Sequence, residues 1–403
     1  MRLRVLRSVL VLLAIAAPAG LRAQKRAQKP AGFDRAWAGM RASFDSSLRN
    51  ANIAGGSLWF VQNDQVLGRA DFGLADRESA RAVTDSTIYH WASITKTLTA
   101  VAIMQLRDRG QLSLDDPVVK YVPELREVHD TFGDIAEITI RQLMTHSAGF
   151  RAGTWPWSGD KSWYPFEPRG WEQLVAMMPY TEILFKPGSR FSYSNPGIIY
   201  LGRVIERLSG EDYEVYVDKN ILKPLGMYHS YFDATPFNLL KDRSNGYEVS
   251  GGQATAVGLS FDTGITVSNS GLNAPLGDMC RYLAFLVGAS AHAEEYERLL
   301  KRSSLEEMWR PVLPVAGGNT EGDSVSAGFF TLDTGGRRYV GKTGSQAGFR
   351  SFFYLDPVSR TAAIGVTNTS GSGRAGSGPD ADAAWLLLDI RNQLMRRIFP
   401  LFH

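Results

Sequence analysis

Strand-forming runs lie at both ends of this 403-residue chain, with a long helical and irregular stretch between them. Gly55 to Phe60 and Gln65 to Phe72 are β-rich and joined by Gln62-Asn63-Asp64, which reads as a hairpin. Four further runs follow near the other end: Ala327 to Leu332, Arg338 to Lys342, Phe349 to Asp356 and Thr361 to Thr367. Amphipathic helices flank the two sets, Phe33 to Leu48 before the first and Asp382 to Ile398 after the second. Strands, helices, strands and a helix predict a discontinuous α/β domain whose sheet joins the chain ends. The α/β part covers about 33–92 and 311–403, and a mainly helical insertion covers about 93–310.

The first residues read differently. Arg2, Arg4 and Arg7 precede an apolar run from Val9 to Ala17, and Ala17-Pro18-Ala19 and Leu21-Arg22-Ala23 offer small-residue cleavage sites. This is the pattern of a secretory signal peptide over 1–23, followed by a linker over 24–32. A periplasmic or secreted protein is expected, with no stable membrane span after cleavage. The formal charge is +3, and the four arginines of 1–23 account for it, leaving about −1. Nothing in that balance points to nucleic acid. Cys280 is the only cysteine, and the six histidines show no ligand spacing, so neither a disulfide nor a metal site nor any cofactor is expected.

Within the insertion, Ile94 to Leu106 is apolar on most faces, which predicts a buried helix stopped at Gly110. Ser93 and Lys96 lie one helical turn apart at its start, a candidate nucleophile with a candidate base. Thr139 is the predicted N-cap of a short helix carrying Arg141, Leu143 and Met144, ahead of His146-Ser147-Ala148-Gly149. An aromatic loop follows with Trp155, Trp157, Trp163, Tyr164 and Phe166, the expected mouth of a cleft. Asn195 is the predicted cap of the helix from Ile198 to Leu208, with Pro196 at its first position.

Three short motifs occur in order: Ser93-Ile94-Thr95-Lys96, Tyr193-Ser194-Asn195 and Lys342-Thr343-Gly344. The chain has no GxSxG elbow. With flanks such as Phe72-Gly73-Leu74-Ala75-Asp76, Pro224-Leu225-Gly226-Met227 and Gly344-Ser345-Gln346-Ala347-Gly348-Phe349, it resembles the serine β-lactamase and penicillin-binding protein superfamily, in its class C-like branch. The resemblance implies the serine β-lactamase/DD-peptidase-like fold, an antiparallel sheet flanked by helices plus a mainly helical inserted domain. It also implies an active-site-serine hydrolase that works through an acyl-enzyme.

In those roles Ser93 attacks, and Lys96 or Tyr193 takes its proton. The backbone N–H groups of Ser93 and Ser345 form the oxyanion hole, Asn195 touches the substrate, and Lys342, Thr343 and Gly344 bind it. An unperturbed lysine is free base only about once in 2,500 at pH 7, so Lys96 needs burial or a neighbouring cation. Lys342 is the candidate cation, and Tyr193 near both lysines is expected to move towards phenolate. No convincing ExxxN glutamate of the class A kind is present. Retention of Lys-Thr-Gly suits small-molecule or peptide substrates with a free carboxylate, which places β-lactams or D-amino-acid peptides slightly ahead of carboxylic esters. A penicillin-binding sensor without turnover is the other class. A monomer is expected.

Overall fold

The structure, a computed structural model, describes residues 29–154, 168–250, 253–259, 262–315, 321–371 and 383–403. The expected leader, most of the linker, the aromatic loop from Trp155 to Phe166 and most of the Ser370 to Pro379 run lie outside the described residues. A nine-stranded sheet organises the rest. Its order is Arg81–Ala82, Gln65–Asp76, Gly55–Gln62, Thr361–Thr367, Phe349–Asp356, Arg337–Gln346, Phe330–Thr334, Ser324–Val325 and Leu313–Pro314. Every neighbouring pair is antiparallel. The two chain ends meet where Gly55–Gln62 pairs with Thr361–Thr367, with Trp59 opposite Ile364.

Alternation along these strands sends side chains to two different cores. Leu58, Phe60, Phe352, Tyr354 and Ala363 pack under the Phe33–Asn50 and Ala383–Arg397 helices. Trp59, Val61, Phe353, Leu355 and Ile364 face the larger core, which the Thr95–Asp108, Asn195–Ser209 and Leu276–Val287 helices complete. Both faces are covered, so the central strands read as nearly unbroken apolar runs.

The Thr95–Asp108 helix is enclosed on all sides from Thr95 to Leu106, polar residues included. It begins after a 3₁₀ turn at Ala92–Ile94 and ends before Gly110, whose φ of 73° suits glycine. Thr139 caps Ile140–Met144 through a reciprocal capping box with Gln142. The next cap differs from expectation by one residue. Ser194, not Asn195, caps Asn195–Ser209, its Oγ accepting from the Gly197 N–H at 3.1 Å. Asn195 is already the first helical residue, with Pro196 second, so its side chain takes no part in the cap. The stretch expected to be mainly helical also holds short strands. Tyr231–Phe232 and Leu272–Pro275 form a small sheet with Ile88–His90, and Gly246–Ser250 pairs with Gln253–Gly258 and Thr369–Gly371.

His90 ties one small sheet to the large one. Its Nδ1 and Nε2 each lie 3.0 Å from a side-chain amide, of Asn273 and of Gln346. Burial, reinforced by the Arg243 cation, lowers its pKa to about 4. The unfolded chain therefore takes up this proton near pH 6.5, while the folded protein resists until about pH 4. Stability is complete above that window and falls through it on acidification, by about 3 kcal/mol for this group at its lower end. Urea midpoints measured near pH 7.5 and near pH 4 should show that loss shrinking in His90→Gln; an equal loss in the variant would assign it elsewhere.

Candidate active site

Ser93 sits in the 3₁₀ turn, and the turn is held from several directions. Trp91 donates from its backbone to the Leu272 carbonyl and from its indole to the Ala274 carbonyl, each at 2.9 Å. The Thr95 hydroxyl donates back to the Ala92 carbonyl at 2.6 Å. Ala92, just before the serine, has φ 48°, a conformation that costs an alanine on the order of 1 kcal/mol or more. His146 and Ala347 are also left-handed, at 50° and 48°. All three flank the motif residues, and such strain persists only where surrounding packing enforces it.

Gly344 brings the second wall against this turn. A Cβ there would lie 2.3 Å from the Trp91 carbonyl oxygen and 2.5 Å from Ser351 Oγ, so only glycine permits the approach. Lys342 and Ser345 ride on the same strand, which continues to Gln346 and pairs Lys342 with Phe353 and Ser345 with Arg350. Thr343, Gly344 and Ser345 line a cavity of about 220 Å³ between this strand and the C-terminal helix.

Lys96 Nζ lies 3.0 Å from Ser93 Oγ and donates to the Asn269 carbonyl at 2.9 Å. Lys96 is fully buried. Burial first, and the Lys342 cation second, hold its pKa well below the ordinary lysine value, against a smaller opposing pull from Glu321. The Tyr193 hydroxyl is within hydrogen-bonding reach of Ser93. Its ring lies 5.0 Å from Lys96 Nζ and 4.8 Å from Lys342 Nζ, and it stacks on the His146 imidazole at 4.5 Å. Ser93, Lys96, Tyr193 and Lys342 therefore converge from four elements.

Tyr193 departs from expectation. Burial, and then the Glu321 carboxylate, push its pKa well above the usual phenol value. Glu321, the second of these causes, forms an ion pair with Lys342. That carboxylate offsets the Lys342 cation that would have favoured phenolate, and burial disfavours the charged form of Lys96. Tyr193 is a phenol, able to donate.

Sequence reasoning missed Glu321, which follows a Gly/Asn/Thr run that carries no motif. It also missed Asn269, whose contribution is a backbone carbonyl and leaves no side-chain signature. His146 lies against the Tyr193 ring. Its Nδ1 accepts from the Ser194 N–H at 3.2 Å, and burial first, then the nearby Lys342 and Lys96 side chains, hold its pKa well below the ordinary imidazole value, so it is neutral beneath Tyr193. Asn195 is half-buried on the first turn of its helix, two residues beyond Tyr193. Cys280 lies away from this cluster, its thiol pushed up to about 12 by burial. Among the described residues, no group of three His, Cys, Asp or Glu side chains could hold a metal ion, and no helix is long and apolar enough to cross a membrane.

A profile described as Beta-lactamase matches residues 34–386. Esterase EstB of Burkholderia gladioli is 33% identical over 197 residues, covering 46% of this chain and 49% of the esterase. The chain spans between about half and three fifths of the length of the curated relatives it matches. The octameric penicillin-binding protein homologue from Pyrococcus abyssi superposes with a TM-score of 0.72 at 26% identity, covering 89% of this chain and 77% of that one. A Yersinia pestis beta-lactamase/D-alanine carboxypeptidase superposes with the same TM-score at 19% identity, covering 90% and 98%, a likeness of fold.

Proposed function

The chain belongs to the Beta-lactamase family of serine hydrolases, and on that premise we propose that it is an exported hydrolase that cleaves carboxylic esters and amides through an acyl-enzyme on Ser93. One observation carries the reading: a fully buried lysine amine 3.0 Å from a serine hydroxyl, its pKa held well below the ordinary lysine value by burial and then by Lys342. A serine hydroxyl is a poor nucleophile until a base accepts its proton, and Lys96, whose charged form burial disfavours, is that base. Ser93 Oγ attacks the carbonyl carbon as Lys96 takes the proton. The backbone N–H groups of Ser93 and Ser345 receive the oxyanion, as the family resemblance implies. The Tyr193 phenol donates to the departing alkoxide or amine and is reprotonated from Lys96. In the second half a water attacks the acyl carbon, its proton passes to the same pair, and Ser93 leaves.

The sequence favoured amides bearing a free carboxylate because Lys342 looked available to bind one. In the folded chain that lysine already holds Glu321, which moves carboxylic esters ahead of β-lactams and D-amino-acid peptides. Similarity to an esterase supports the same order. Every group named above comes from one chain, so a monomer suffices for the chemistry. The basic and apolar residues of 1–23 support export to the periplasm or beyond.

Incubation with a fluorophosphonate is expected to leave a single adduct on the Ser93 peptide by mass spectrometry, with p-nitrophenyl ester turnover exceeding nitrocefin turnover. Faster nitrocefin turnover would restore the amide reading. A lasting penicillin adduct with no turnover of either substrate would make the protein a sensor. No adduct on Ser93 would defeat the acyl-enzyme altogether.

A further inference from the structure

Glu321 lies at one side of the cavity beside Thr343, Gly344 and Ser345, with Phe352 and Leu387 on its walls. Its carboxylate is paired with Lys342, whose ammonium is fully buried and whose other near neighbours are the Tyr193 and Phe330 rings, at 4.8 and 4.7 Å. The geometry points to Glu321 as a specificity-determining residue: it holds the one lysine of the Lys-Thr-Gly strand with an internal carboxylate, and so selects substrates whose group directed at that lysine carries no negative charge. The inference deepens the acyl-enzyme reading and rests on it.

Two features carry it. First, a substrate carboxylate reaching Lys342 must share that cation with Glu321 or displace it, and a buried ion pair resists losing a partner because the abandoned charge is left desolvated. Second, the other cations on this cavity have engagements of their own. Arg391 donates to the Tyr354 hydroxyl at 3.0 Å and to the Asn392 side chain, and Arg350 donates to the Phe349 carbonyl at 3.0 Å.

The same pair also bears on the proton chemistry. With Lys342 offset by Glu321, the phenol of Tyr193 keeps its proton and Lys96 is the base. Selectivity and protonation thus share one residue, and a ratio between two substrates separates the first from the second.

The test compares phenyl hexanoate with two carboxylate-bearing analogues: 3-carboxyphenyl hexanoate, charged on the alcohol side, and monophenyl adipate, charged on the acyl side. The wild-type kcat/KM for the neutral ester should exceed that of at least one analogue by about 100-fold or more, the penalty for a second anion at ~4 Å. Glu321→Gln should narrow that ratio by about tenfold or more, and Glu321→Asp should keep it. Ratios remove any common change in rate that follows from disturbing Lys96 or Tyr193. A wild-type preference for either charged ester would overturn the inference and make Arg350 the anion's partner. So would an unchanged ratio in a folded Glu321→Gln that still labels with fluorophosphonate. The wild-type ratio is decisive alone if that variant does not fold. Failure of the wild type itself to label on Ser93 brings down the acyl-enzyme reading, and the inference with it.

Discussion

Ser93→Ala is expected to lower ester kcat/KM by about 10⁴-fold or more while leaving stability within about 1 kcal/mol of the wild type. The two halves of that expectation have different origins. Catalysis collapses because the acyl-enzyme needs an oxygen at this position, and no neighbouring hydroxyl replaces it: Tyr193 is held as a phenol and the Thr95 hydroxyl is committed to the Ala92 carbonyl. The fold survives because the turn is fixed by other groups. Trp91 holds Leu272 and Ala274, and Gly344 packs on the Trp91 carbonyl. Lys96 keeps its bond to Asn269 when the serine hydroxyl is gone. Steady-state kinetics beside a denaturant titration checks both. A variant that unfolds at markedly lower denaturant would make Ser93 a structural residue first.

How much of this was legible beforehand depends on the range of the interaction. Ser93 and Lys96 are three residues apart, and helical geometry alone brings them together. The sheet that joins the chain ends was equally readable, because Leu58, Trp59, Phe60 and Val61 lie in a strand that the adjacent hairpin partner covers on one edge and a strand from the other chain end on the other. Tyr193 and Lys342 were legible only through the order of their motifs. The cap at Ser194 shows why boundaries slip: serine and asparagine are equally good cap residues, and a proline fits either of the next two positions. Ile88–His90, Tyr231–Phe232 and Leu272–Pro275 are too short for period-two patterning to distinguish them from irregular chain.

Charge was the least legible property. From the sequence, two lysines near one tyrosine implied a phenolate. Folding buries the phenol and adds Glu321, with no motif to announce it, and the two together reverse the sign. The sequence-based error therefore concerned the state of Tyr193 and not its position. The same carboxylate weakens the argument for anionic substrates, since a Lys-Thr-Gly motif describes a lysine without saying what already holds it.

Lys96→Met carries the second large effect, and its stability should move opposite to its activity. Loss of the base is expected to lower kcat/KM by about 10²–10⁴-fold, the usual reach of general-base catalysis. The wild-type pH profile should lose activity on the acidic side, because a protonated Lys96 accepts nothing from Ser93, and that limb should vanish in the variant. Stability follows from linkage. In the unfolded chain Lys96 is charged until near pH 10.5, whereas in the folded protein burial and Lys342 depress its pKa well below that value. Between the two values the unfolded state binds the extra proton, so this lysine makes the folded protein less stable at neutral pH and less so as pH rises towards 10.5. Methionine removes that penalty at similar length, against the cost of leaving the Asn269 carbonyl without its donor. The variant's stability relative to wild type should accordingly be greatest near pH 7 and decline towards pH 10. Parallel urea titrations across that range would show it. A relative stability independent of pH would mean that Lys96 is charged in the resting site, and the task of accepting the Ser93 proton would pass to Tyr193.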